Sequence, residues 1–139
     1  IYEAVKRIDV KDSVFFRQRL DSLCNVIHAT DKYIRQTTAQ AQCKSFIIYH
    51  PALTYFASDY GLEQLALEEH GREPSASELE QIISTARAKG VKTMFVQREF
   101  ANRNVDIITN TIGARKVEIN PLGYDWNKEM RRIAAEIRN

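Results

Sequence analysis

His50 ends an apolar, β-type run, Phe46-Ile47-Ile48-Tyr49, and is followed at once by Pro51-Ala52-Leu53-Thr54-Tyr55-Phe56. A short run without polar alternation reads as a strand buried on both faces. A proline just after it suits the first turn of a helix, where its missing N–H would have no partner anyway. This order puts His50 at the carboxyl end of a parallel strand, the edge at which open α/β sheets bind ligands. Glu68 and Glu69, then Gln97 and Glu99, then Asn120 fall at the ends of three further strand patterns and so along the same rim. An imidazole joined by carboxylates and an amide oxygen suits a divalent metal of borderline hardness, zinc above all. Each residue also has a plain structural reading. A histidine at a strand end can tie down a turn with its ring nitrogens, loop glutamates are ordinarily solvated, and Asn120 followed by Pro121-Leu122-Gly123 makes a turn that needs no function. His28, inside a helical pattern, and His70, in a polar loop, stand at no ligand spacing to His50 and read as surface or packing histidines.

The elements that must position this rim show in the period of the apolar residues. Strand patterns at 45–49, 62–67, 92–97 and 115–119 alternate with helix patterns at 52–59, 77–89, 101–112 and 125–138. A βαβαβαβα order implies an α/β fold, a four-stranded parallel sheet flanked by helices. Gly61, Gly90 and Gly113 each fall just past a helix pattern, where a left-handed residue closes the C-terminus. Ser75-Ala76-Ser77-Glu78-Leu79-Glu80 holds two overlapping capping boxes, so a helix starts there in one of two registers. Ahead of the sheet, Ile1 to Lys6 reads as the tail of a helix. Asp12 then caps a long helix whose apolar positions Phe15, Phe16, Leu20, Leu23, Cys24, Ile27, Tyr33 and Ile34 keep helical spacing to about Gln40. Such a helix would be about 40 Å long, more than a small sheet needs to be covered, and something else is expected to pack on part of it. The chain therefore divides into a helical segment, 1–43, and an α/β lobe, 44–139.

With 139 residues, 44% of them apolar, there is material for one core. The net charge of +2 comes from basic residues interleaved with acidic ones, with no basic face for phosphates, so a nucleic-acid partner is not expected. No run reaches the length of a membrane span. The start at Ile1-Tyr2-Glu3, without an initiator methionine, is taken to mean that more chain precedes it. Cys24 and Cys43 lie too far apart along one helical stretch to bridge, and free thiols are expected. An enzyme reading stays open as a small metal-dependent hydrolytic α/β domain using His50 as base or ligand, although no Gly-x-Ser-x-Gly elbow, His-Glu-x-x-His or phosphate-cradling glycine loop accompanies it. A receiver-like module would need an acidic pair where Tyr49-His50 stands.

Four stretches carry a more specific signal. They are Phe46 through His50-Pro51-Ala52-Leu53-Thr54-Tyr55-Phe56-Ala57-Ser58-Asp59-Tyr60-Gly61-Leu62, then Gly71-Arg72-Glu73-Pro74-Ser75, then Ala88-Lys89-Gly90-Val91-Lys92-Thr93-Met94-Phe95-Val96, then Gly113 through Val117-Glu118-Ile119-Asn120-Pro121-Leu122-Gly123. Together, and in this order, they resemble the zinc-binding solute-binding proteins of bacterial ABC transporters. The resemblance implies two α/β lobes joined by one long rigid helix, with the metal between them. The overlong helix here would be that interlobe backbone and the rest the C-terminal lobe. It also implies that His50 is the histidine which this lobe gives to the metal, where manganese-type relatives tend to have glutamate. Asn120 stands where the family has an aspartate that ligates or hydrogen-bonds near the metal, so a neutral amide replaces an anion. The two histidines of the N-terminal lobe would precede Ile1. The implied function is capture of zinc outside the cytoplasm, by a periplasmic or membrane-anchored receptor that hands the ion to an ABC permease without catalysis. A chain of this extent would leave Phe15, Phe16, Leu20, Leu23 and Ile27 bare on the long helix and prone to self-association.

Overall fold

In the computed structural model, residues 1–68, 71–98 and 103–139 are described, apart from the side chains of residues 103 and 104. The chain runs α1 (Tyr2–Ile8), α2 (Ser13–Ala39), β1 (Ser45–Ile48), α3 (Thr54–Asp59), β2 (Glu63–Ala66), α4 (Ala76–Ala88), β3 (Thr93–Gln97), α5 (Arg103–Ile112), β4 (Arg115–Ile119) and α6 (Trp126–Arg138). All three strand pairings are parallel and the order across the sheet is β2-β1-β3-β4. The expected α/β fold, with four parallel strands, flanking helices and one long helix ahead of them, is the observed one.

The unbroken apolar run of β1 has a direct cause. Phe46, Ile47 and Ile48 are wholly buried because the strand is covered on both faces. Phe46 and Ile48 join Phe95, Ile119, Phe56 of α3, and Ile133 and Ile137 of α6 in one core layer. Ile47 and Tyr49 join Met94, Val96, Ala86 of α4, and Val105 and Ile108 of α5 in the other. The Phe46 and Phe95 rings meet edge to face, centroids 5.4 Å apart, which locks the two central strands to each other.

Turn chemistry closes the crossovers as the glycines suggest. At Gly90 the backbone is left-handed (φ 67°) and Val91 N–H donates to Ala86 O at 2.9 Å, and Gly61 (φ 64°) allows the matching Leu62 to Ala57 bond at 2.8 Å. Of the two overlapping boxes, the chain uses Ser75 with Glu78. Ser75 Oγ accepts from Glu78 N–H, and the Glu78 carboxylate accepts from Ser75 N–H. Arg72 adds a two-nitrogen contact to the same carboxylate, and these bonds hold it down at about 2.

Three local expectations are corrected. α3 starts at Thr54, not at residue 52, and Pro51 leads a turn instead of a helix. Its neighbour Ala52 donates to His50 O at 2.7 Å and Leu53 N–H donates to Gln64 Oε1 at 3.1 Å, so these amides are satisfied outside a helix. The helix expected over the first residues, α1, runs past Lys6 to Ile8 and packs on α2. β2, at a sheet edge, spans Glu63–Ala66, shorter than the 62–67 pattern, although Leu67 just past it is buried.

The 27 residues of α2 give a length of about 40 Å. Its C-terminal part buries Thr30, Ile34, Thr37 and Thr38, with α6 as the main helical neighbour. Toward its start, Val14, Phe15, Leu23 and Ile27 remain exposed, with α1 the element packed on that half. Cys24 and Cys43 are free thiols, with Cys43 beyond the end of α2 instead of in one helical stretch with Cys24.

Candidate functional site

His50 follows the last residue of β1 and its main chain is pinned from two sides. Its carbonyl accepts from Ala52 N–H at 2.7 Å and from the Gln97 side-chain Nε2 at 3.1 Å. Its ring is half exposed, with Nδ1 at 3.2 Å from both carboxylate oxygens of Glu68, whose side chain is only 13% exposed. Glu68 is itself fixed by a ladder that runs past β2. Leu67 N–H donates to Ile48 O and Glu68 N–H to Tyr49 O, each at 2.9 Å.

Gln97 ends β3, the strand between β1 and β4. It is 5% exposed, and with Nε2 committed to His50 its Oε1 is buried with no hydrogen-bond partner among the described residues. Asn120 follows β4. Its N–H donates to Glu129 Oε1 of α6 at 2.8 Å, and its carbonyl accepts from Gly123 N–H at 3.0 Å. Gly123 sits so close that a Cβ there would lie 3.3 Å from Asn120 Nδ2, which explains a glycine at this turn. Arg132 grips Glu129 and donates to Glu118 O, so the β4–α6 turn is held by α6. That guanidinium, followed by the Asn120 amide, keeps the Glu129 carboxyl below its ordinary range, and Glu129 in turn raises Arg132.

These side chains line one open cleft of about 670 Å³ at the carboxyl edge of the sheet, walled by His50, Gln97, Glu118, Asn120, Pro121 and Leu122. Neighbouring strands are about 4.8 Å apart, so the ends of β1 and β4 stand about 10 Å apart with Gln97 on the floor between them. An imidazole and a carboxamide, each bonded at about 2 Å to one ion, can close that span. The two residues the sequence singled out, His50 and Asn120, are thus brought to one cleft. Glu68 is not brought to its centre. β2 lies on the far side of β1 from β4, and the carboxylate turns to the back of the His50 ring. Gln97 proves to be a buried floor residue, and His28 is exposed on α2. Glu69, His70 and Glu99 lie outside the described residues. Among the described residues no group of three or more His, Cys, Asp or Glu side chains could hold a metal by itself, so the cleft is a partial ligand set. The His50–Glu68 pairing escaped the sequence because strand order is not encoded in the period of a single strand.

Over residues 1–139 the sequence matches the family described as zinc-uptake complex component A, periplasmic (ZnuA). The chain belongs to this family. A high-affinity zinc uptake system protein ZnuA of Bacillus subtilis is 32% identical over 94 residues, covering 66% of this chain and 30% of that protein. A crystal structure of ZnuA superposes with a TM-score of 0.91 at 28% identity, covering 99% of this chain and 54% of that one. A ZnuA deletion mutant with zinc bound gives a TM-score of 0.89 at 28% identity, over 99% and 53% of the two chains. The chain therefore spans about a third of that curated relative and about half of the solved structures. The family and the curated relative are both described by zinc uptake. No described helix is long and apolar enough to cross a membrane.

Proposed function

We propose that this chain is the C-terminal part of an extracytoplasmic zinc receptor that captures the ion and delivers it to an ABC permease. In this reading residues 1–43 are the helical segment with the interlobe helix, and residues 44–139 are the lobe. His50 and Asn120 are the metal ligands of that lobe. The observation that carries the reading is the imidazole of His50 at the edge of a cleft, with the Asn120 amide across the buried Gln97. A zinc site is ordinarily completed by three or four protein ligands, so the missing donors come from the rest of the receptor. The greater length of the relatives agrees with this. The hydrolytic alternative would draw its nucleophile from a metal-bound water and needs no side-chain nucleophile, so what favours the receptor over it is membership of a zinc-uptake family. Zinc is cargo here, and the chain catalyses no reaction.

The test is His50→Ala in the complete receptor, read by competition with a zinc chelator at neutral pH and by unfolding without metal. Changes behind a ligand already cost about 10–100-fold in affinity, and loss of the ligand itself is expected to cost at least about 100-fold. The ring is half exposed but partners the 13% exposed Glu68 carboxylate, so metal-free stability should fall by no more than about 1–3 kcal/mol, the cost of leaving that acceptor without its partner. Unchanged zinc affinity would remove His50 from the site. A large loss of metal-free stability would mean that the ring serves the fold instead.

A further inference from the structure

His50 and Glu68 form a pair that the metal reading does not itself require. A carboxylate at the end of an edge strand would ordinarily be solvated. Here it is drawn in until its side chain is 13% exposed, with both oxygens at 3.2 Å from one ring nitrogen. The approach is built into the backbone, since the Leu67-to-Ile48 and Glu68-to-Tyr49 hydrogen bonds continue the β1–β2 ladder to the level of the ring. An ionised carboxylate can only accept, so in the neutral imidazole the proton must sit on Nδ1 and the lone pair on Nε2. The two nitrogens point to nearly opposite sides of the ring. With Nδ1 turned to β2, Nε2 is directed away from β2, the side on which β3 and β4 carry Gln97 and Asn120.

We propose that Glu68 is a positioning residue for the metal, which selects the Nδ1–H tautomer of His50 and presents Nε2 to the cleft. This rests on the zinc reading above. A histidine that ligates through one nitrogen is commonly oriented and made more basic by a hydrogen bond from the other to a carboxylate. The charge has a particular use in this site, because Asn120 brings none. The carboxylate behind the ring places a negative charge one residue away from the ion without occupying a coordination position.

The experiment uses the complete receptor and two variants, Glu68→Gln, whose amide oxygen can still accept from Nδ1–H, and Glu68→Leu, which cannot. Nitrogen NMR of isotope-labelled histidine, metal-free and at a pH where the imidazole is neutral, reads the tautomer directly. The expected result is Nδ1–H in the parent and in Glu68→Gln, and a shift toward Nε2–H in Glu68→Leu. Chelator competition with zinc should show Glu68→Leu weakened by about 10–100-fold and Glu68→Gln by less. In a His50→Ala background Glu68→Leu should cause no further loss. A tautomer indifferent to Glu68, or a zinc loss that persists without His50, overturns the positioning role. A tautomer that follows Glu68 while His50→Ala binds zinc normally overturns the zinc reading and the metal role of Glu68 with it, leaving only the pairing.

Discussion

In the proposed site Asn120 brings a neutral amide to a cleft that Glu118 and Arg98 also line. Its main chain is fixed by Glu129 and by Gly123, and its side-chain amide makes no hydrogen bond among the described residues, so the group is available to the cleft. A carboxylate in its place would face a divalent ion at short range, an interaction of about 1–4 kcal/mol for unit charges about 4 Å apart at surface dielectrics. The neighbouring Glu129 carboxylate opposes the change. For Asn120→Asp in the complete receptor, zinc affinity is expected to lie between unchanged and about tenfold tighter, a tenfold gain being about 1.4 kcal/mol. Chelator competition reads this, and a clear weakening would argue that residue 120 does not face the ion.

Among the elements, α2 is fastened to the lobe by a polar staple as well as by its buried threonines. Tyr60, just past α3, donates to Asp31 Oδ1 at 3.0 Å, while Arg35 bonds the other oxygen at 2.9 Å and stacks over the Tyr60 ring with its centre at 5.2 Å. Burial, then the Asp31 hydrogen bond, pushes the Tyr60 hydroxyl from 10.0 up to about 12, and Arg35 holds Asp31 below its ordinary value. A group whose pKa rises on folding favours the folded state below its unfolded pKa, and that contribution is lost as pH climbs through the folded one. The window for Tyr60 is therefore about pH 10 to 12. Tyr60→Phe should cost about 1 kcal/mol at neutral pH, the net worth of one hydrogen bond, and should flatten the decline of stability across that window. Denaturant unfolding at a series of pH values measures both. Identical alkaline slopes in parent and variant would show that Tyr60 is not coupled to folding.

At the scale of the whole molecule, the uncovered half of α2 is the feature expected to govern behaviour in solution. Val14, Phe15, Leu23 and Ile27 are 68%, 50%, 49% and 44% exposed. The adjoining groove of about 670 Å³ between α1 and α2 is lined by Tyr2, Val5, Phe16 and Leu20. Contiguous apolar surface of several hundred Å² seeks a partner. This chain on its own should form dimers or larger species as concentration rises, and Leu23→Glu with Ile27→Glu should return it to monomer. Light scattering across a concentration series decides the matter. A strict monomer with the stripe intact would mean that α2 folds back onto its own lobe in solution.

The amino-acid sequence alone determined the elements, because each rests on local periodicity. β1 lacks alternation and is buried on both faces. The long helix runs from Asp12 to Gln40 at its caps, and the glycines past three helices supply the left-handed residues that end them. The alternation of strand and helix required a parallel sheet, and with it a shared rim that already carried His50 and Asn120. Lateral order was the work of tertiary structure, since a strand's period records which faces are buried and not which strand lies beside it. The order β2-β1-β3-β4 puts Gln97 between His50 and Asn120 and sends Glu68 behind the imidazole instead of into the cleft. The same holds for the start of α3. Gln64 and Gln97 come from distant parts of the chain to bond Leu53 N–H and His50 O, and those long-range bonds make a turn where local propensity alone favours a helix.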